Sequence, residues 1–161
     1  IDEMPDITID RNVFNQKCRK MNLASKPILL CVGPLDLSHG IEDFCSFDTK
    51  GTKLLVGEGP CIDILRYRYP DVIFVGHKGY DSIAHYYANA DVLVFTSRTD
   101  PGETQSAFSM ACGTPVAAYK HSAISIHISH GVNGAVADSM EEAIMSCLVL
   151  DRNLIERSSN T

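Results

Sequence analysis

The stretch Lys53-Leu-Leu-Val-Gly-Glu-Gly-Pro-Cys-Ile-Asp-Ile-Leu-Arg-Tyr-Arg-Tyr-Pro-Asp-Val-Ile-Phe-Val-Gly76 reads as a whole structural unit. An apolar run, Lys53–Val56, stops at Gly57. Cys61–Tyr69 then carries apolar residues at helical spacing among charges, and a second apolar run, Val72–Val75, stops at Gly76. Unbroken apolar runs suit strands buried on both faces of a parallel sheet, and parallel strands need a crossover between them, usually a helix. Outward from this unit the same alternation continues. Before it stand the strand Ile28–Val32 and the helix Ile41–Phe47. After it come the helix Asp81–Ala90, the strand Val92–Phe95, the helix Thr104–Cys112, the strand Val116–Ala118, the helix Ser122–Ser129, the strand Ala135–Ala137 and the helix Ser139–Leu150. Ser139 with Glu142 three positions on has the form of a capping box. The pattern predicts an α/β domain with an open, mostly parallel six-stranded sheet and helices on both faces, over residues 27–161. Residues 1–26 read as an irregular linker leading into it.

Composition narrows the function. The chain has 161 residues, 45% apolar and 21% charged, which is enough apolar material for one domain core and argues against disorder. Fourteen Lys and Arg face twenty Asp and Glu, a formal charge of −6. That balance disfavours nucleic acid as a partner and a polybasic membrane-surface role. No apolar run approaches the roughly 20 residues of a transmembrane helix, and Ile1–Asp10 is acidic, unlike a signal peptide. The chain has no initiator Met, so it is expected to be part of a longer one. Six cysteines are scattered without a C-x-x-C pair, several of them inside apolar runs, which points to free thiols and a cytoplasmic location.

In sheets of this kind ligands bind at the carboxyl ends of the strands, where the strand order reverses. The loops at those ends are rich in glycine: Gly33, then Gly57 and Gly59, then Gly76 and Gly79, then Gly102. Glycine permits close backbone approach to a ligand, and a following helix N-terminus favours an anion. Neither the G-x-G-x-x-G dinucleotide fingerprint after the first strand nor a G-x-x-x-x-G-K-[ST] loop is present.

The order of the loops is more specific than any one of them. Val32-Gly33, Lys53–Pro60, Pro70–Gly76, Tyr86-Tyr-Ala-Asn-Ala-Asp-Val-Leu-Val-Phe-Thr-Ser-Arg-Thr-Asp100 and Met110-Ala-Cys-Gly-Thr-Pro-Val-Ala-Ala-Tyr119 form one series. Over about residues 7–152 it resembles the C-terminal donor-binding half of family 4 glycosyltransferases with the GT-B fold. The bacterial branch of GDP-mannose-dependent α-mannosyltransferase-like proteins is the nearest match. The resemblance implies a Rossmann-like domain binding a nucleotide-diphospho-sugar, GDP- or UDP-linked, and transferring a hexose with retention. It implies no cofactor and no obligatory metal, and a partner N-terminal acceptor-binding domain without which the chain does not turn over. It places Gly76, His77, Lys78 and Gly79 near the nucleobase. Ser97, Arg98, Asp100, Glu103 and Thr104 fall near the sugar and diphosphate, with Gly33, His39, Gly57 and Gly59 completing the donor site.

The sequence also departs from that family. The arginine that follows Val-Gly there, and the lysine about five residues on, are here Pro34 and His39. Proline offers neither charge nor N–H, and histidine is a cation only when protonated. Of the family's two glutamates with seven residues between them, the first falls at Asp100 and the second, a ribose acceptor, at Phe108. Charge-assisted bonds of this kind are each worth about 1.5–3 kcal/mol, so a non-catalytic binding or interaction module is the alternative reading. A sugar-nucleotide epimerase of similar architecture is a weaker one. His121, His127 and His130 lack the Cys or acidic partners of a zinc site, and Asp100 with Glu103 has no further support as a hydrolase pair.

Overall fold

The computed structural model describes residues 26–76 and 79–158. All but the last residue of the expected linker, together with His77 and Lys78, lies outside them. Six strands, β1 (Ile28–Val32), β2 (Thr52–Val56), β3 (Ile73–Val75), β4 (Val92–Val94), β5 (Val116–Tyr119) and β6 (Gly134–Ala137), form one sheet in the order β3-β2-β1-β4-β5-β6. Every pairing is parallel. This is the strand order of the doubly wound dinucleotide-binding folds. Helices α1 (Ile41–Cys45), α2 (Ile62–Arg68), α3 (Tyr80–Asn89), α4 (Glu103–Ala111), α5 (Met140–Cys147) and α6 (Arg152–Ser158) fill the crossovers and the tail.

Strand alternation splits the core into two layers. Leu29, Cys31, Leu55, Val92, Val94 and Ala117 face one side, where Phe44 of α1, Leu65 of α2 and Ile144 of α5 cover them. Ile28, Leu30, Leu54, Leu93 and Val116 face the other, under Tyr87 of α3 and Phe108 of α4. None of the five described cysteines forms a disulfide, and burial pushes the Cys147 thiol up to about 12. Of the Tyr86–Tyr87 pair, Tyr87 is the ring that turns inward.

Two elements differ from the sequence expectation. Ser122–Ser129 is not an α-helix but a short 3-10 helix, Ala123–His127. Its serines bond back to the chain: Ser122 Oγ donates to Tyr119 O at 2.7 Å and Ser125 Oγ to Ser122 O at 2.5 Å, offering the backbone an alternative to an α-helix. The expected helix Ser139–Leu150 ends at Cys147, and α6 follows it. Asp151 marks the restart, its Oδ1 accepting the Asn153 N–H at 2.9 Å. Ser139 does cap α5, its Oγ accepting the Glu142 N–H at 3.2 Å.

The Met110–Pro115 segment is a joint. The Gly113 N–H donates to Met110 O (3.0 Å) and the Thr114 N–H to Ser109 O (2.8 Å), closing α4 in a Schellman motif with Gly113 at φ +72°. Thr114 Oγ1 donates to Tyr87 O at 2.6 Å. The Arg152 guanidinium reaches Ala90 O, Ala88 O, Cys112 O and Thr114 Oγ1 at 2.5, 3.1, 3.3 and 2.9 Å. One cation thus takes up the carbonyls that end α3 and α4, where the helix dipoles favour positive charge.

Candidate functional site

The strand order reverses between β1 and β4, and a cleft opens there at the carboxyl ends of the strands. It has two compartments that share Val32, Gly33 and Pro34. The larger, about 370 Å³, runs between these residues and Val56, Gly57 and Glu58, with Ile83 of α3 as an apolar wall. The smaller is a recess of about 20 Å³ reaching to His39, Thr96, Ser97, Asp100 and Gln105.

The β1 and β2 loops are laced together by their backbones. The Gly33 N–H donates to Val56 O at 3.1 Å, the Leu35 N–H to Glu58 O at 3.0 Å and the Cys61 N–H to Leu35 O at 3.2 Å. A Cβ on Gly57 would sit 2.0 Å from Gly33 O, and one on Gly59 2.5 Å from Leu35 O. Both glycines therefore have a packing reason of their own, independent of any ligand. On the other side, Thr96 Oγ1 donates to His39 O at 2.7 Å, which ties the 3-10 turn Leu37–His39 to the end of β4.

The β4 loop organises itself from within. Ser97 Oγ accepts the Asp100 N–H at 3.1 Å, and Asp100 Oδ1 accepts the Gly102 N–H at 2.8 Å. α4 starts at Gly102, which has no side chain with which to cap it, so the first-turn amides of Glu103, Thr104 and Gln105 stay open to an anion. The exposed Glu103 sits in the first turn of α4, where a helix dipole favours an acid.

Of the residues singled out in the sequence, Gly33, His39, Gly57, Ser97 and Asp100 line the cleft. Gly59, on the β2 loop, and Gly76, after β3 with its would-be Cβ 3.7 Å from Glu58 Oε1, are not among the lining residues, and His77 and Lys78 are outside the described residues. Arg98 neither lines the cleft nor pairs with Asp100. Its guanidinium stacks over the Tyr119 ring, 3.9 Å from the centroid, and the Tyr119 hydroxyl donates to Asp43 Oδ2 at 2.5 Å. Burial, then the Asp43 carboxylate, raise the Tyr119 hydroxyl well above the ordinary tyrosine range. Phe108, where the resemblance implies a ribose acceptor, is 3% exposed and stacks on Tyr87 at 5.7 Å and 10°. That position therefore faces α3, not the cleft.

The sequence reading passed over Ile83 and Gln105. The Gln105 amide bonds to no described residue, and its Oε1 is wholly buried. Among the described lining residues His39 is the one basic side chain, set against Asp100 and Glu58. His130 Nδ1 accepts the Val136 N–H at 3.1 Å, and among the described residues no three His, Cys, Asp or Glu side chains gather as a metal-ligand set.

A doubly wound α/β domain with a largely apolar cleft carrying a few polar groups at its strand-order switch belongs to the class that takes nucleotide-like ligands in that crevice. Residues 26–150 match the family described as glycosyl transferases group 1, and the chain belongs to that family. Three solved structures illustrate the likeness. Anabaena HepE, in complex with UDP and glucose, superposes at TM-score 0.72 with 19% identity over 94% of this chain and 50% of that one. Sucrose-phosphate synthase from Thermosynechococcus elongatus gives 0.73 and 28% over 89% and 42%. The C-terminal domain of a glycosyl transferase group 1 family protein (LpcC) from Francisella tularensis gives 0.69 and 19% over 94% and 92%. The chain spans about half the length of HepE. No curated protein matches the sequence. No helix among the described residues is long and apolar enough to cross a membrane.

Proposed function

We propose that the chain is the C-terminal, donor-binding half of a cytoplasmic, retaining hexosyltransferase of the mannosyltransferase-like branch. It takes a GDP- or UDP-linked sugar in the cleft and works with an N-terminal acceptor-binding domain outside this sequence. The observation that carries the reading is the two-compartment cleft at the β1–β4 switch with the uncapped start of α4 at its rim. Its larger part falls within the roughly 300–1,000 Å³ of ordinary ligand pockets. In glycosyl transfer the bond from the anomeric carbon to the diphosphate breaks and charge grows on the departing phosphate. Open amides and a helix dipole stabilise that charge without reorganising. The chain has no Asp-x-Asp pair to hold a metal in their place, so the reaction proposed is metal-independent. The binding of UDP by HepE supports a uridine or similar nucleotide.

A second reading has its own observation. Phe108 is committed to the core and Pro34 stands at the mouth of both compartments, so two groups that would hold the donor are replaced by apolar ones. On that reading the domain binds or interacts without catalysis. Calorimetric titration with GDP, UDP, ADP, GDP-mannose and UDP-glucose tests both. One nucleotide is expected to bind and to lose about tenfold in affinity on His39→Ala, the equivalent of one charge-assisted bond. No heat with any of them at millimolar concentration refutes the donor site and leaves the interaction module.

A further inference from the structure

We propose that Gln105 is a specificity-determining residue of the cleft, its amide reading one hydroxyl of the transferred sugar in the small recess. The inference rests on the donor-site reading above and deepens it.

The observations start with cost. A buried polar group without a partner is unfavourable, and native proteins keep few of them. Gln105 Oε1 is one of two such atoms among the described residues, and it belongs to a residue on the wall of the cleft. The other half of the amide is also unbonded to any described residue. Its Nε2 faces the β1 loop, 3.8 Å from where a Cβ on Gly33 would stand. Gln105 thus lines the small recess with its Nε2 on the side of Gly33, a residue that both compartments share.

Size and chemistry then select the occupant. A recess of about 20 Å³ takes one oxygen-sized group and no ring. The polar groups around it are the Gln105 amide, the Asp100 carboxylate, the Thr96 and Ser97 hydroxyls and the His39 imidazole, which together offer both acceptors and donors. A hydroxyl, which donates and accepts at once, matches such a set. A phosphate oxygen only accepts, and would meet the Asp100 charge. The sugar end of the donor is thereby set at the recess, and the nucleotide end in the larger compartment beside Ile83.

The test compares UDP with UDP-glucose and GDP with GDP-mannose by calorimetry on the full-length protein, for wild type and Gln105→Leu. The sugar-bearing ligand is expected to bind about tenfold more weakly to Gln105→Leu, as loss of one buried hydrogen bond requires, with the bare nucleotide unchanged. The melting temperature of the variant is expected to equal or exceed that of wild type, because an unpartnered polar group has gone. Should Gln105→Leu fail to fold, Gln105→Met, unbranched and of similar length, is expected to give the same ratio. An unchanged ratio of sugar-bearing to bare nucleotide, with both still bound, overturns the inference while leaving the donor site standing. Absence of binding by all four ligands to wild type overturns the donor-site reading and this inference together.

Discussion

Phe108→Glu introduces the carboxylate that the family resemblance implies for this position, and the structure says that the helix will not accept it. The ring is 3% exposed and stacks nearly parallel to Tyr87 in the layer that joins α3 and α4 to the sheet. Removing a buried phenylalanine side chain costs about 3–5 kcal/mol, and placing an unpartnered polar group there adds about 1–3 kcal/mol. The sum is comparable to the roughly 5–15 kcal/mol that holds a domain together. At about 2–4 °C per kcal/mol for a chain of this size, the melting temperature should fall by about 10–30 °C at pH 7. Phe108→Leu keeps an apolar group and should lose only about 1–2 kcal/mol. The sign of the pH dependence follows from burial, which raises the introduced carboxyl above its unfolded value of about 4.3. Between the two values the unfolded state binds fewer protons, so stability falls as pH rises, and the variant should recover part of its loss between pH 7 and pH 5. Thermal unfolding followed by circular dichroism, with nucleotide titration of whatever remains folded, measures all of this. A Phe108→Glu protein that melts within about 3 °C of wild type at pH 7, and binds nucleotide more tightly, would refute the placement of this face of α4 in the core.

Arg152→Met removes the guanidinium that collects Ala88 O, Ala90 O and Cys112 O, and is expected to cost about 2–4 kcal/mol in urea unfolding. Arg152→Lys should restore less than half of that, since an ammonium is a point donor and cannot span three carbonyls. Tyr119→Phe removes the hydroxyl donated to Asp43 and is expected to cost about 1–2 kcal/mol near neutral pH. The folded Tyr119 hydroxyl is raised above its ordinary 10.0, so its contribution is fully present below pH 10 and lost as pH climbs through the folded value. Wild type and Tyr119→Phe should therefore converge in urea midpoint above pH 10, and parallel midpoints across that range would contradict the hydrogen bond from the buried Tyr119 to Asp43.

The architecture was legible because both signals that specify it are local. Unbroken runs such as Leu54–Val56 and Leu93–Phe95 can be satisfied only by burial on both faces, and the structure places them in the centre of a parallel sheet. The elements misread were those decided by side chain to backbone bonds. Ser122 and Ser125 divert a helical pattern into a 3-10 turn, and α6 is set by Asp151 and by Arg152 reaching across to two other helices. The cleft loops were legible as glycine clusters, but not the division of labour among them. Gly57 and Gly59 are required by backbone approach between loops, whereas Gly33 and Pro34 line the space itself.

Arg98 and Gln105 show why a site of this kind resists reading from residue type alone. A basic residue after β4 looks like an anion contact, yet its guanidinium is engaged by the Tyr119 ring, which Asp43 in turn orients. Stacking on an aromatic face is worth about 0.5–2 kcal/mol, enough to hold an otherwise free arginine out of the cleft. With Arg98 turned away, Pro34 uncharged and Phe108 buried, His39 is left as the basic side chain among the described lining residues, beside the open amides of α4. On the proposed reading, charge recognition falls largely on backbone geometry, which any residue can supply, and selectivity falls on Gln105, whose Oε1 is buried and unsatisfied. The sequence marks the first only through glycine and the second not at all, because an unpartnered glutamine amide is a property of its neighbours.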